Sequence, residues 1–173
     1  MCWTAETKDD NLATTIRREM VRYLEERVHE RESLPEAEIV VGELIGNAFR
    51  HSPGPMCADV LWRDGTRPAV VVHDAGECFP EARLPRPNFS SESGRGLLIV
   101  RALTHRLSVR PVKPRGCMVT ATLRLSRRAD ASADPHPCAR GTARTEIGCA
   151  CAMLVHGIDV SQTIAARTPQ GGA

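Results

Sequence analysis

Aromatic residues make up only 3% of this 173-residue chain: two tryptophans, one tyrosine and three phenylalanines. Such scarcity argues against a platform of stacked rings for single-stranded nucleic acid. Excess charge of one sign is missing too, since 23 lysines and arginines against 21 acids leave a formal net charge of +2. A dedicated nucleic-acid binder carries a strong basic footprint, so that class is disfavoured. There is no apolar run of roughly 18 residues, so no segment reads as a membrane span. The opening MCWTAETKDD is too polar for a secretory leader. What is present, 42% hydrophobic and 25% charged residues, is ordinary for a cytoplasmic globular protein with one proper core.

The seven cysteines (Cys2, Cys57, Cys78, Cys117, Cys138, Cys149 and Cys151) are odd in number and irregular in spacing. Without an export signal they read as reduced thiols, some of them buried as small hydrophobes. The alternative is a metal site near the C-terminus, where Cys138, Cys149 and Cys151 lie close to His136 and His156. Those spacings match no paired Cys-x-x-Cys knuckle. Cys78 sits in a proline-rich stretch as a further candidate reactive thiol, although nothing beside it in sequence argues for a lowered pKa.

The chain changes character near Arg127. Residues 1–127 show helical and strand periods and read as one domain. Residues 128–146, rich in Ala, Arg, Asp and Pro, read as a disordered linker. Residues 147–173 form a tail whose apolar stretch, Ile147 to Val155, could dock on the domain, bind a partner, or do neither.

Within the domain, Leu12, Ile16, Met20, Tyr23, Leu24 and Val28 predict an amphipathic helix from Asn11 to about His29. A second helix is predicted from about Pro35 to His51, with Ser33 and Glu36 spaced as a capping box and a stop at Ser52-Pro53-Gly54-Pro55. Extended segments follow at Cys57–Trp62 and Ala69–His73, separated by Arg63-Asp64-Gly65-Thr66, a hairpin signal. A stretch without period, Glu77–Ser93, carries three prolines. A third helix from about Gly94 to Arg106 and a last strand, Met118–Leu125, complete the set. Helices on one face of a mixed, mostly antiparallel sheet make an α+β two-layer sandwich.

Three features carry chemistry. Glu43 and Asn47, four residues apart on the second helix, project about 40° apart along the edge of its apolar stripe. Glu43 could accept a proton, and Asn47 offers the oxygen that Mg²⁺ prefers. Val71-Val72-His73-Asp74-Ala75-Gly76 ends a strand in an acid and a glycine, so that Asp74 could accept a hydrogen bond from an exocyclic amine. Ser93-Gly94-Arg95-Gly96-Leu97 opens a helix with unhindered N–H groups and a guanidinium, a combination suited to phosphate. Its spacing is neither that of a P-loop nor that of a Rossmann turn. Taken singly, each feature also fits a solvated helix edge or a common turn.

In this order the three resemble the GHKL superfamily of ATP-binding domains, also called the Bergerat or histidine kinase-like ATPase fold. Glu43-Leu44-Ile45-Gly46-Asn47-Ala48 is similar to its N box, Asp74-Ala75-Gly76 to its first glycine box, and Gly94-Arg95-Gly96-Leu97 to its second. The phrases ELIGNAFRHSPGP, VVHDAG and SGRGLLIVRALTHRLSV most resemble stand-alone domains of the anti-sigma-factor serine kinase type, over about residues 11–125. The resemblance implies ATP and Mg²⁺ as cofactors. It makes Glu43 the general base, Asn47 the metal ligand and Asp74 the adenine-reading acid. Gly76 would let the base approach, and Gly94, Arg95, Gly96 and Leu97 would line the phosphates. Glu77–Ser93 would be the ATP lid. It further implies transfer of the γ-phosphoryl to a serine or threonine of a partner, an anti-sigma antagonist of the STAS class, and/or capture of a sigma factor. The alternative is a nucleotide-gated binding module without useful kinase activity. A homodimer through the first helix is plausible for relatives, although no exposed apolar stripe here demands one. Two departures stand out: Met118 occupies the place where relatives often carry a hydroxyl, and Leu107-Ser108-Val109 replaces a Trp-Gly.

Overall fold

Segments with a helical apolar period fold as helices, and alternating segments fold as strands of one sheet. The computed structural model describes residues 2–5, 10–29, 31–52, 54–62, 66–78, 95–112, 116–126 and 128. In chain order these form β1 (Cys2–Ala5), α1 (Asp10–Glu25), α2 (Leu34–His51), β2 (Met56–Leu61), β3 (Ala69–Asp74), α3 (Gly96–Leu103), β4 (Arg106–Pro111) and β5 (Cys117–Thr122). The strand order is β1-β2-β3-β5-β4, and every described pairing is antiparallel. This is the α+β sandwich that the sequence implies.

Alternation along each strand decides which side chains meet the helices. Met56, Ala58 and Val60 of β2, Val70 and Val72 of β3, and Val119 and Ala121 of β5 enter the main core. Opposite them stand Ile16, Met20 and Leu24 of α1 and Val40, Val41, Leu44 and Ile45 of α2. Met20 and Leu24 are fully enclosed, and burying a side chain of that size stabilises by about 1.5–3 kcal/mol. The residues of opposite parity, Val71 and Met118, form a smaller cluster with Val112 and Leu61. Two of the few aromatics fasten β1: Trp3 Nε1 donates to Glu19 Oε2 at 2.7 Å, and the indole meets Tyr23 edge-on at 6.3 Å. Beyond β5 the chain returns along the end of α1, where the His29 N–H donates to Ser126 O and the Arg128 N–H to Arg27 O.

Several boundaries differ from the sequence expectation. Helix α1 ends at Glu25 rather than His29; Val28 still reaches the core one turn after Leu24, so the apolar period outlasts the helix. Ser33 is the N-cap of α2 but makes no side-chain cap bond, because its φ of −90° and ψ of 6° are not the extended geometry a capping box requires. Helix α3 stops at Leu103, where the Thr104 N–H and Oγ1 both donate to Val100 O. The chain then becomes β4, a strand absent from the expectation, as is β1. By contrast, β2 and β3 do pair as the antiparallel hairpin that the sequence signals, the register closing at Leu61↔Ala69. The Asp64-Gly65 pair, Gly94, most of the Glu77–Ser93 stretch, the linker apart from Arg128, and the 147–173 tail with its candidate metal ligands lie outside the described residues.

The cysteine count predicts reduced thiols throughout. Cys78 and Cys117 are instead joined in a disulfide, because folding brings two residues 39 apart in sequence to a Cα separation of 4.6 Å. Cys57 is a buried thiol. Among the described residues, no helix is long and apolar enough to cross a membrane, and no group of three His, Cys, Asp or Glu side chains could hold a metal ion.

Candidate functional site

Helix α2 presents Glu43 and Asn47 on successive turns at the border of its buried stripe. The start of α3 meets them there. A Cβ built on Gly96, the first residue of α3, would run into Glu43 Oε2 and come within 3.4 Å of Asn47 Nδ2. A residue without a side chain is therefore what lets the two helices close at this point. The first-turn N–H groups of α3 have no partner within the helix. Its first turn contains no acid, and the N-cap residue, Arg95, makes no side-chain cap bond. The positive end of the helix thus faces the Glu43 carboxylate. Arg95 is exposed just before α3, and Leu97 is half-buried against the core.

Sequence reasoning missed Arg50. Its Nη2 donates to Asn47 Oδ1 at 3.2 Å and lies 4.0 Å from Glu43 Oε2. The Arg50 side chain is 62% exposed, so the ion pair contributes at most about 1 kcal/mol. Its importance is that it brings positive charge to the carboxylate and carboxamide. The three-residue spacing from Asn47 on a helix is the signal that could have found it.

Asp74 closes β3, and its Oδ1 accepts the Gly76 N–H at 2.7 Å, which fixes the orientation of the carboxylate. The exit from α2 stands beside this turn. A Cβ on Gly76 would lie 3.7 Å from Ser52 Cβ, and one on Gly54 would lie 3.1 Å from Ala75 Cβ. Ser52 is buried, its N–H bonded to Ala48 O, and sequence reasoning gave it no role beyond ending the helix. From Glu43 to Ser52 the helix rises about 13 Å. One helix therefore borders both the Glu43–Asn47–Gly96 cluster and the Asp74-Ala75-Gly76 turn. The structure brings Glu43, Asn47 and Gly96 into contact, and sets Asp74 and Gly76 beside the C-terminal exit of the same helix.

The sequence places Met118 at the position of a missing hydroxyl. In the structure Met118 belongs to the smaller cluster with Val71 and Val112, in register with His73. The residue across the sheet from Asp74 is Cys117, which enters the main core. Parity is the physical reason: one step along a strand exchanges the two faces.

Two predictions arise here. Gly96→Ala forces the flexible end of Glu43 aside rather than any backbone. Thermal unfolding should therefore shift by the equivalent of about 1 kcal/mol or less, while any reaction that depends on the Glu43 position falls about tenfold or more. Unchanged turnover would show that the contact does not set the Glu43 position. The second concerns His73. Its Nε2 is buried with no hydrogen-bond partner among the described residues, and burial lowers its pKa below 6.5, partly opposed by the charge of Asp74. As pH falls through 6.5 the unfolded chain binds a proton before the folded one does, so stability declines from there and levels off below the folded pKa. Urea midpoints taken from pH 7.5 to 5 should show this slope, and His73→Leu should flatten it. Parallel curves for the two proteins would contradict the assignment.

The profile of the family described as histidine kinase-like ATPase domain matches residues 5–123. Among solved structures, full-length ShkA in complex with AMPPNP aligns with a TM-score of 0.48 and 18% identity, over 72% of this chain and 32% of that one. This chain thus spans about a third of the length of ShkA. The mycobacterial sensor histidine kinase MprB aligns with a TM-score of 0.44 and 18% identity, over 74% of this chain and 100% of that one. No curated protein matches. The profile match covers more than half of the 173 residues and includes every candidate site residue, and on that ground the chain belongs to the histidine kinase-like ATPase domain family.

Proposed function

We propose that this domain binds ATP and Mg²⁺ along the α2 edge and transfers the γ-phosphoryl group to a serine or threonine hydroxyl of a partner protein. The observation that carries the reading is the convergence of Glu43, Asn47 and Gly96 at the start of α3, with Asp74 and Gly76 beside the far end of the same helix. In this reading the Asp74 carboxylate accepts a hydrogen bond from the exocyclic amine of adenine. The missing Cβ of Gly76 leaves room beside that carboxylate. The phosphates lie toward α3, where the first-turn backbone N–H groups and the Arg95 and Arg50 guanidiniums supply positive charge. Asn47 Oδ1 suits a hard cation, and bound Mg²⁺ would supply charge neutralisation at the phosphate oxygens. Glu43 takes the proton of the attacking hydroxyl. Residues 1–127 form the nucleotide-binding unit. The partner class, an anti-sigma antagonist or a sigma factor, rests on the resemblance of the three motifs to anti-sigma-factor kinases.

Titration calorimetry tests the reading. ATP should bind saturably. GTP should not, because guanine presents an oxygen where adenine presents its amine. Asp74→Ala should weaken ATP about ten- to hundredfold, the range for losing a hydrogen bond to a charged group. Equal affinity for both nucleotides, or no binding by the folded protein, would sink the adenine assignment. ATP binding without transfer to any hydroxyl-bearing partner would leave a nucleotide-gated protein-binding module.

A further inference from the structure

The proposed chemistry makes no use of two sulfur-bearing residues that lie beside Asp74. Cys117 opens β5 as the register partner of Asp74. Cys78 follows Asp74 by four residues, and the disulfide joins the two with Cα atoms 4.6 Å apart. Residues 74–78, the disulfide and the Asp74–Cys117 pairing thus form one small closed ring. Both sulfur residues lie on the helix-facing side: Cys117 is part of the main core, and Cys78 packs against it. Asp74 shares the parity of Val70 and Val72, which point to that side as well. Within the ring, Asp74 Oδ1 is turned back onto the Gly76 N–H. Cys117 is 3% exposed, whereas Cys78 is only half-buried, so the Cys78 sulfur is the one a reagent can reach.

We propose that Cys78 and Cys117 form a reversible thiol–disulfide site that regulates nucleotide binding, exchanging with a small-molecule thiol, with the dithiol form the one that takes ATP. This rests on the adenine reading of Asp74 given above. The thiolate of the small molecule attacks the Cys78 sulfur. The Cys78–Cys117 bond breaks, and Cys117 leaves as a thiolate that takes a proton from water. A second small thiolate attacks the small-molecule sulfur of the mixed disulfide and releases Cys78, which is protonated in turn. The net change converts two small thiols and one protein disulfide into one small disulfide and two protein thiols, so electrons and protons balance. Opening the bond frees residues 75–78 from β5, while Asp74 stays paired with Cys117 through the sheet. The Asp74 carboxylate can then turn from the Gly76 N–H toward a planar base, and the space beside Cys117 widens. The bonded form holds both closed.

The test uses the full chain equilibrated in reduced or oxidised glutathione, with ATP affinity measured by calorimetry. Alkylation and peptide mapping report the state of Cys78 and Cys117. ATP should bind at least tenfold more tightly when the two thiols are free. Cys78→Ser should bind like the reduced protein in both buffers, and Cys117→Ala serves in its place if Cys78→Ser does not fold. Equal affinity in the two states, with mapping showing the bond made and broken, overturns the switch and leaves the nucleotide reading intact. So does tighter binding by the bonded form. Thiols that stay free in oxidised glutathione overturn it as well. No ATP binding in either state, with the bond seen to open and close, removes the adenine reading and the switch with it.

Discussion

Gly116→Val is expected to lower the unfolding free energy by about 3–4 kcal/mol, and Gly116→Ala by about 2 kcal/mol. Two separate costs add. Gly116 has a φ of +134°, a region that residues with a side chain enter at a cost of about 1–3 kcal/mol. A Cβ at this position would also lie 2.6 Å from Asp74 O and 3.0 Å from His73 Nε2. The Asp74 carbonyl is backbone at the end of a strand paired on both sides, so it cannot retreat as a flexible side chain does. Relieving that overlap costs about 1–3 kcal/mol more, with the branched valine the worse of the two. For a domain of this size the valine variant should melt about 10 °C lower. Fluorescence of the buried Trp3 and Trp62 can follow the transition. A valine variant within about 0.5 kcal/mol of the parent would mean that the turn into β5 tolerates a side chain, and the left-handed geometry would lose its explanation.

Much of the fold was legible because packing follows the apolar period. Ile16, Met20 and Leu24 sit at intervals of four and are all buried; Val40, Val41, Leu44, Ile45 and Ala48 trace the buried stripe of α2 as the spacing predicts. The last strand alternates in sequence and in structure. Strand β1 was illegible for an energetic reason. Four residues are too few to establish a period, and the strand is held by pairing with β2 and by the Trp3–Glu19 bond, both distant in sequence. Strand β4 did carry a signal, since Leu107 and Val109 face the core and alternate with Arg106, Ser108 and Arg110. The helical reading ran past Leu103 and over its first residue. The helix stops where the Thr104 backbone turns extended, at φ −101° and ψ 156°.

For the candidate site, sequence spacing captured what lies on one element and missed what is assembled between elements. Glu43 and Asn47 share a helix edge by simple periodicity. Their meeting with Gly96 depends on how α3 approaches α2, which no local pattern encodes. That Cys117 rather than Met118 pairs with Asp74 follows from the strand register. The Cys78–Cys117 disulfide depends on the same register together with the turn after Gly76, so counting cysteines could not reveal it.

Glu43→Gln is expected to reduce phosphoryl transfer about 10²- to 10⁴-fold while leaving ATP affinity within about threefold. The amide keeps the size of the side chain and an oxygen that can accept from the α3 N–H groups, but it cannot take a proton. General-base contributions have this magnitude. Affinity should hold, because in the proposed arrangement adenine is read at Asp74 and the phosphates by α3, not by Glu43. Phosphoryl transfer owes most of its rate to positioning and charge, so a second variant separates the roles. Gly96→Ala keeps the carboxylate and displaces it. If Glu43 acts as a base, both variants lose rate, the amide far more, and the amide variant keeps its binding. If the carboxylate only organises the α3 terminus and Arg50, the amide variant should retain more than about a tenth of the rate. The displaced carboxylate would then be the more damaging change. Single-turnover transfer at saturating ATP, measured beside the calorimetric affinity of each variant, distinguishes the two orders.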